Sequence, residues 1–129
     1  MSEKISIINK TKEKIPPLPL ISLKNKILGK NYVLSIAFID KKKSKELNRI
    51  YRKTNKPTNI LSFPLSKKEG VILICPSLVK TEIKKFGRTF PKLLGFLVIH
   101  GMLHLKGMKH SSTMEEAEEK HDKKYFGRY

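Results

Sequence analysis

The sequence predicts an α+β fold in a single domain covering residues 1–129, and three observations support this prediction. Short β-branched and aromatic segments at 32–39 and 71–75 are typical of buried strands. Segments such as 20–28, with apolar residues three or four positions apart, are typical of amphipathic helices. The length and the 39% hydrophobic content are sufficient for one core. We therefore expect a small mixed sheet of about four strands packed with four or five helices.

The N-terminal half of the chain contains four predicted elements. In order, they are an edge strand at 5–8, a helix at 20–28, a central strand at 32–39 and a helix at 44–51. Three prolines separate the first two elements, and Gly29 is the residue expected to end the first helix. Ser44 is the expected N-cap of the second helix, because a serine hydroxyl can accept a hydrogen bond from a first-turn N–H.

The C-terminal half contains a predicted hairpin followed by helices. In order, we expect extended structure at 59–65, a turn at 67–70, a strand at 71–75 and helices at 76–86, from 89 and at 114–126. Residues 93–99 are apolar on nearly every side, so the helix that starts near Thr89 should lie in the core. Four glutamates near the start of the last helix are favourable to its dipole. A role for one of them as a metal ligand or base is the alternative, and His121 is expected at the surface.

Three of the four histidines lie within eleven residues, at His100, His104 and His110. On a continuing helix, the first two are at i and i+4, so their imidazoles share one face. Gly107 can adopt positive φ and end the helix, which allows the chain to bring His110 back towards the other two. Three imidazoles with a fourth position open to water is the usual composition of a catalytic zinc site. We therefore predict one zinc ion per chain, bound by these three histidines.

The same spacing occurs in the metzincin proteases, but one residue differs. Where zincins have the general-base glutamate of H-E-x-x-H, this sequence has Gly101. A peptidase of this type would lack the group that takes the proton from the zinc-bound water. The sequence therefore argues against a metalloprotease, and we keep that function only as the least favoured hypothesis.

Charge and cysteine content indicate the partners and the compartment. The chain has 28 Lys and Arg against 11 Asp and Glu, a formal charge of +17. Such a bias attracts polyanions, and nucleic acid is the most common polyanion in the cytosol. The single cysteine, Cys75, lies in an apolar run and is expected to be a buried thiol in a reducing compartment. With no signal peptide and no apolar run long enough to span a membrane, we expect a cytoplasmic protein with no membrane partner.

Two blocks of the sequence resemble the YbeY endoribonucleases, the bacterial ribosomal RNA maturation factors. The first is H-G-x-L-H-L-x-G-x-x-H at 100–110. The second is L-N-x-x-Y-R at 47–52, followed after five residues by T-N-I-L-S-F-P at 58–64. The helix-forming residues 114–119 also agree with the end of the family pattern. The similarity spans roughly residues 34–126, and both blocks occur in the family's order.

The resemblance implies an α+β fold with zinc held by His100, His104 and His110. It also implies cleavage of single-stranded RNA, with a role in 3′-end maturation of small-subunit ribosomal RNA and in ribosome quality control. The partners that it implies are ribosomal RNA and the small subunit or its proteins. The family's important arginine corresponds to Arg52, and a guanidinium is well suited to phosphate recognition.

Two residues depart from the family pattern: Asn59 and Lys109 replace aspartates. If either aspartate orients a ligand histidine, zinc affinity in this chain should be weaker. These losses, together with the missing general base, favour a second hypothesis: an RNA- or ribosome-binding assembly factor whose zinc is largely structural.

Overall fold

The computed structural model of the protein describes residues 4–107 and 112–126. The secondary-structure elements of these residues, in chain order, are β1 (Ile5–Asn9), α1 (Leu20–Ile27), β2 (Val33–Phe38), α2 (Lys41–Arg52), β3 (Ile60–Ser66), β4 (Glu69–Ile74), α3 (Pro76–Thr81), α4 (Ile83–Phe86), α5 (Phe90–Leu105) and α6 (Ser112–Phe126). The predicted α+β class and the four-stranded sheet are confirmed.

The four strands form one mixed sheet in the order β1-β2-β4-β3. β2 is parallel to both β1 and β4, whereas β3 and β4 form the predicted antiparallel hairpin. β1 is an edge strand and β2 is central, as the sequence predicted. Along β2 and β4, fully buried side chains alternate with more exposed ones, so one face of the sheet is covered by the main core.

The core lies between this sheet face and α5. The buried side chains of α5 form one cluster with those of β2 and β4, including Phe38, Ile72, Leu94, Val98 and Met102. The histidine-bearing helix is therefore in the core, as predicted, and its fixed packing gives the histidines a rigid support. The Cys75 thiol is buried, also as expected. None of the described helices combines the length and the apolar character needed to cross a membrane.

Two local predictions were wrong. The N-cap of α2 is Asp40, whose carboxylate accepts a hydrogen bond from the Lys43 N–H at 2.8 Å, whereas Ser44 is a buried residue of the first turns. The single helix predicted at 76–86 is two short helices, α3 and α4, separated at Glu82. The described residues therefore contain six helices instead of the expected four or five. Propensity gave the correct helical state, but not the position of the break.

Candidate metal and RNA site

α5 positions His100 and His104. Its N-terminus is fixed by the Thr89 hydroxyl, which accepts a hydrogen bond from the Lys92 N–H at 3.4 Å, and by a proline in the first turn. The i, i+4 spacing places the two imidazoles edge to face, with ring centroids 4.6 Å apart. Beyond the helix end, Gly107 has φ +102°, the positive value that the sequence predicted. The histidine pair therefore lies at the C-terminal end of a buried helix.

The Nε2 atoms of His100 and His104 are 3.1 Å apart. Two nitrogens bound to one tetrahedral zinc at about 2.0–2.1 Å lie roughly 3.3 Å apart, so the pair fits two ligand positions of such an ion. His110, the predicted third ligand, lies outside the described residues. Among residues 4–107 and 112–126, no three His, Cys, Asp or Glu side chains converge on one point. The described part of the site therefore contains two of the three predicted ligands.

Glu118 on α6 contacts His100 on the side of the ring opposite to Nε2. Its carboxylate is in contact with Nδ1 of His100, and both side chains are largely buried. Because a carboxylate only accepts, the proton of His100 lies on Nδ1 and the Nε2 lone pair is available on the other side of the ring. The helix-dipole interpretation of the four glutamates is therefore incomplete. Glu118 faces inward, whereas Glu115, Glu116 and Glu119 are exposed.

A second buried contact holds α6 against α5. The Arg88 guanidinium donates two hydrogen bonds to the Asp122 carboxylate, at 2.9 and 3.1 Å. The same guanidinium lies over the Phe96 ring of α5, 4.7 Å from its centroid. Asp122 is one helical turn beyond Glu118, so this two-point contact fixes the helix face that carries Glu118.

Gly101 lies where α5 packs closely against the sheet. A Cβ at this position would be 3.1 Å from both Ile60 Cδ1 and Ile72 Cδ1, which is tighter than an ordinary contact. A larger side chain would enter the helix–sheet interface rather than the space beside the histidine Nε2 atoms. Gly101 therefore has a packing role in the interface between α5 and the sheet, and a glutamate at this position would have to displace the side chains of Ile60 and Ile72.

Two buried polar residues of α2 fix the loop that leads to β3. The Ser44 hydroxyl donates to the Thr58 carbonyl at 2.6 Å and accepts from the Thr58 N–H at 3.0 Å. The Asn48 amide donates to the Lys56 carbonyl at 2.7 Å. Lys53 ends the helix in the left-handed region, at φ 56°. These contacts bring the end of α2 and the start of β3 to the same edge of the molecule.

Arg52, His100 and His104 line one cavity of about 490 Å³. The remaining lining comes from the start of β3 and the residues just before it, residues 58–62, with Thr58, Asn59 and Ser62 contributing polar groups. Arg52 is exposed at the last residue of α2, so its guanidinium is accessible to a ligand. The two sequence blocks, separated by more than thirty residues, therefore meet at one concave surface.

Asn59 bonds to a partner that the sequence did not indicate. Its side-chain amide donates to Glu82 Oε1 at 2.8 Å, at the junction of α3 and α4. An aspartate at this position would oppose a second carboxylate, so the amide is compatible with Glu82 where a carboxylate is not. Lys109, the other departure from the family pattern, lies outside the described residues. Among the described residues, the carboxylate that contacts a histidine of the site is that of Glu118, on His100.

His121 is half-buried on α6, which differs from the surface position expected for it. Its Nδ1 has no hydrogen-bond partner among the described residues. Burial lowers the pKa of His121, and the positive charges of Lys120, Lys106, Lys124 and Lys26 lower it further. The ring is therefore held in its neutral form by the fold.

Comparison with known proteins identifies the family. The profile described as Endoribonuclease YbeY matches residues 2–127. Endoribonuclease YbeY of Staphylococcus carnosus is 38% identical over 107 residues, which cover 74% of this chain and 66% of that protein. Endoribonuclease YbeY of Staphylococcus aureus strain JH9 is 38% identical over 99 residues, which cover 66% of this chain and 64% of that protein. The matched part thus spans slightly less than two thirds of these relatives.

A solved structure agrees with the sequence comparison. The solution structure of TM1509 from Thermotoga maritima matches with a TM-score of 0.66 and 31% identity. The match covers 95% of this chain and 89% of the Thermotoga chain. The profile match alone covers nearly all of the sequence. The chain therefore belongs to the endoribonuclease YbeY family.

Proposed function

We propose that the protein is a zinc-dependent endoribonuclease that cleaves single-stranded RNA. The observation that carries this proposal is the shared cavity of Arg52, His100 and His104. It combines a phosphate-binding guanidinium with an imidazole pair whose Nε2 atoms are spaced for one metal ion. The family is described as an endoribonuclease, which supports the RNA-cleaving part of this proposal.

Zinc is held in this proposal by His100, His104 and His110. When bound, it supplies Lewis acidity, which acidifies a water molecule and polarises a phosphoryl oxygen. Glu118 keeps the His100 ring in the orientation and tautomer that a ligand needs. Arg52 binds the phosphate to be cleaved and neutralises charge that develops on its oxygens.

The charge of the chain supports RNA as the substrate. The excess of basic residues, +17 in total, favours binding to the phosphate backbone at moderate salt. The proposed substrate is the precursor of small-subunit ribosomal RNA, matured at its 3′ end in the cytoplasm, with a further role in ribosome quality control. These assignments, and the small subunit or its proteins as partners, rest on the family resemblance.

Metal content and RNA cleavage, measured together, test the proposal. Native protein should contain about one zinc per chain by mass spectrometry, as the predicted ligand set requires, and should cleave single-stranded RNA. His104→Ala should lose both properties. Loss of zinc with unchanged cleavage would identify a contaminating nuclease, and absence of metal from both proteins would contradict the metal site.

One observation favours a second candidate, an RNA- or ribosome-binding assembly factor with a structural zinc. Among the described residues that line the cavity there is no aspartate or glutamate to serve as a general base. Chelation separates the two candidates. Removal of zinc from the enzyme should abolish cleavage with little change in the melting temperature, whereas removal of a structural zinc should unfold the protein.

A further inference from the structure

Two aromatic side chains stack on each other between α2 and β3. Tyr51 is in the last turn of α2 and Phe63 is on β3, and their rings lie 5.0 Å apart at an interplanar angle of 21°. Tyr51 is 60% exposed although one of its faces is next to Phe63. We name these two residues the aromatic platform. Most of the tyrosine surface thus remains open to solvent and is accessible to a ligand.

The aromatic platform is linked to the proposed catalytic cavity through Tyr51, which directly precedes the cavity residue Arg52 in α2. Arg52 and Ser62 both line the cavity with the histidines. Phe63 follows Ser62 on β3 and faces the opposite side of the sheet, because successive strand residues alternate, so the platform flanks the cavity at the end of α2 and does not line it. A strand whose phosphate is held by Arg52 would therefore have an adjacent nucleotide within reach of Tyr51.

We propose that the aromatic platform binds an unpaired nucleobase of the RNA strand, one nucleotide or a few from the phosphate held by Arg52. This inference rests on the proposed endoribonuclease function and extends it to how the substrate is recognised. Aromatic rings in single-strand binding proteins stack on bases, and they do so with little sequence preference because every base has a π-face. A base in a duplex is covered on both faces by its neighbours, so the platform also selects unpaired RNA.

The charges around the aromatic platform favour a nucleic acid over a protein as its occupant. The exposed side chains nearest to Tyr51 in sequence include four basic groups, Arg49, Arg52, Lys53 and Lys56, and no acidic group lies in the segment 47–57. Basic groups interleaved with a ring suit a phosphate backbone with a base on the ring. Ile50 and Leu65 are also exposed next to these residues in sequence, but an apolar protein partner seated here would have to desolvate the surrounding basic groups without pairing them.

The test uses a short single-stranded RNA that carries 2-aminopurine at one position, scanned along the strand. Binding is measured in the His104→Ala background so that the probe stays intact, and cleavage is measured in the native background. A position that stacks on Tyr51 should show quenched fluorescence, and Tyr51→Leu, which keeps apolar area but removes the π-face, should abolish the quenching. The same change should weaken binding by about 5- to 140-fold, the range for loss of one stacked base.

Three controls make the result specific. Tyr51→Phe keeps the ring and should bind within about two-fold of native protein, because stacking needs no hydroxyl. Phe86→Leu removes another exposed aromatic ring, on α4, and should have no effect. An RNA with an abasic residue at the quenched position should bind native protein more weakly, by the same factor as Tyr51→Leu weakens binding of the intact RNA. This control does not depend on the folding of any variant at position 51.

The outcomes distinguish this inference from the proposed function. Unchanged affinity and quenching in Tyr51→Leu would overturn the proposal that the aromatic platform binds a base, whether or not a protein docks there. Normal RNA cleavage in the same experiment would leave the nuclease proposal in place. Failure of native protein to bind or cleave any single-stranded RNA would overturn both. Position-dependent quenching that Tyr51→Leu abolishes and Phe86→Leu preserves would establish the platform.

Discussion

The Glu118 carboxylate on α6 accepts a hydrogen bond from Nδ1 of His100 on α5, and this contact directs the Nε2 atom of the same ring towards His104. The two residues are 18 positions apart in sequence. Carboxylates placed behind metal-binding imidazoles fix ring orientation and tautomer and raise ligand basicity. Glu118 is therefore the residue that we expect to compensate for the aspartates missing at positions 59 and 109.

Replacement of Glu118 should weaken zinc binding. Glu118→Ala leaves the His100 ring without its acceptor, and the zinc affinity should fall by roughly 10- to 100-fold. Glu118→Gln can still accept a hydrogen bond and should lose less. Competition with a chromophoric chelator measures these affinities. Glu116→Ala is the control, because this glutamate is exposed on the same helix. Equal affinities in all four proteins would contradict the orienting role.

Removal of Arg52 should reduce RNA turnover without affecting the metal or the fold. Arg52→Ala should lower kcat/KM on single-stranded RNA by at least about ten-fold, a loss of roughly 1.4 kcal/mol or more of transition-state stabilisation. Zinc stoichiometry and the melting temperature should remain native, because the side chain is exposed. Arg49→Ala changes an arginine of α2 that does not line the cavity and should have a much smaller effect. Loss of zinc or of folding in Arg52→Ala would instead assign Arg52 a structural role.

A glutamate at position 101 should destabilise the protein and create no peptidase. Gly101→Glu forces a charged side chain into the interface with Ile60 and Ile72, and the free energy of unfolding should fall by at least about 2 kcal/mol. Gly101→Ala adds a single carbon, and the stability of this variant should lie between those of native protein and Gly101→Glu. Urea denaturation measures these differences. A stable Gly101→Glu protein that cleaves casein and spares RNA would revive the metalloprotease hypothesis.

Introduction of the family's aspartate at position 59 should be unfavourable in this chain. Asn59→Asp replaces the amide that donates to Glu82 by a carboxylate, and the protein should lose roughly 1 kcal/mol of stability near neutral pH. Glu82→Gln restores a donor opposite the new carboxylate, so the double variant should recover most of that loss. A double-mutant cycle in urea yields the coupling energy. Additive effects of the two changes would show that the residues do not interact.

The neutral state of His121 predicts a contribution to acid sensitivity. Because the pKa of His121 is lowered in the folded state, the unfolded chain binds more protons between that lowered value and about 6.5. This contribution to stability is therefore present above about pH 6.5 and decreases as the pH falls below it. His121→Gln should lose less stability than native protein between pH 7.5 and pH 5.5, both measured with a chelator present. An identical loss in the two proteins would exclude the effect.

The sequence alone was sufficient to predict the elements that depend on local patterns. β-Branched and aromatic composition located β2 and β4, Thr89 with Pro91 marked the start of α5, and the i, i+4 spacing placed His100 and His104 on one face. These predictions succeeded because each depends on residues a few positions apart, whose relative geometry is set by the helix or strand itself.

The tertiary structure decided what surrounds the site. Nothing in the pattern of the four acidic residues at the start of α6 distinguishes Glu118 from its exposed neighbours, because only the packing of α6 on α5 selects the side chain that is buried. The same holds for Ser44, which has the residue type of a cap but bonds to Thr58, and for Asn59, whose partner Glu82 is 23 residues away. Local periodicity determines which faces are apolar. The approach of two distant segments determines which polar group loses its water and must find a partner.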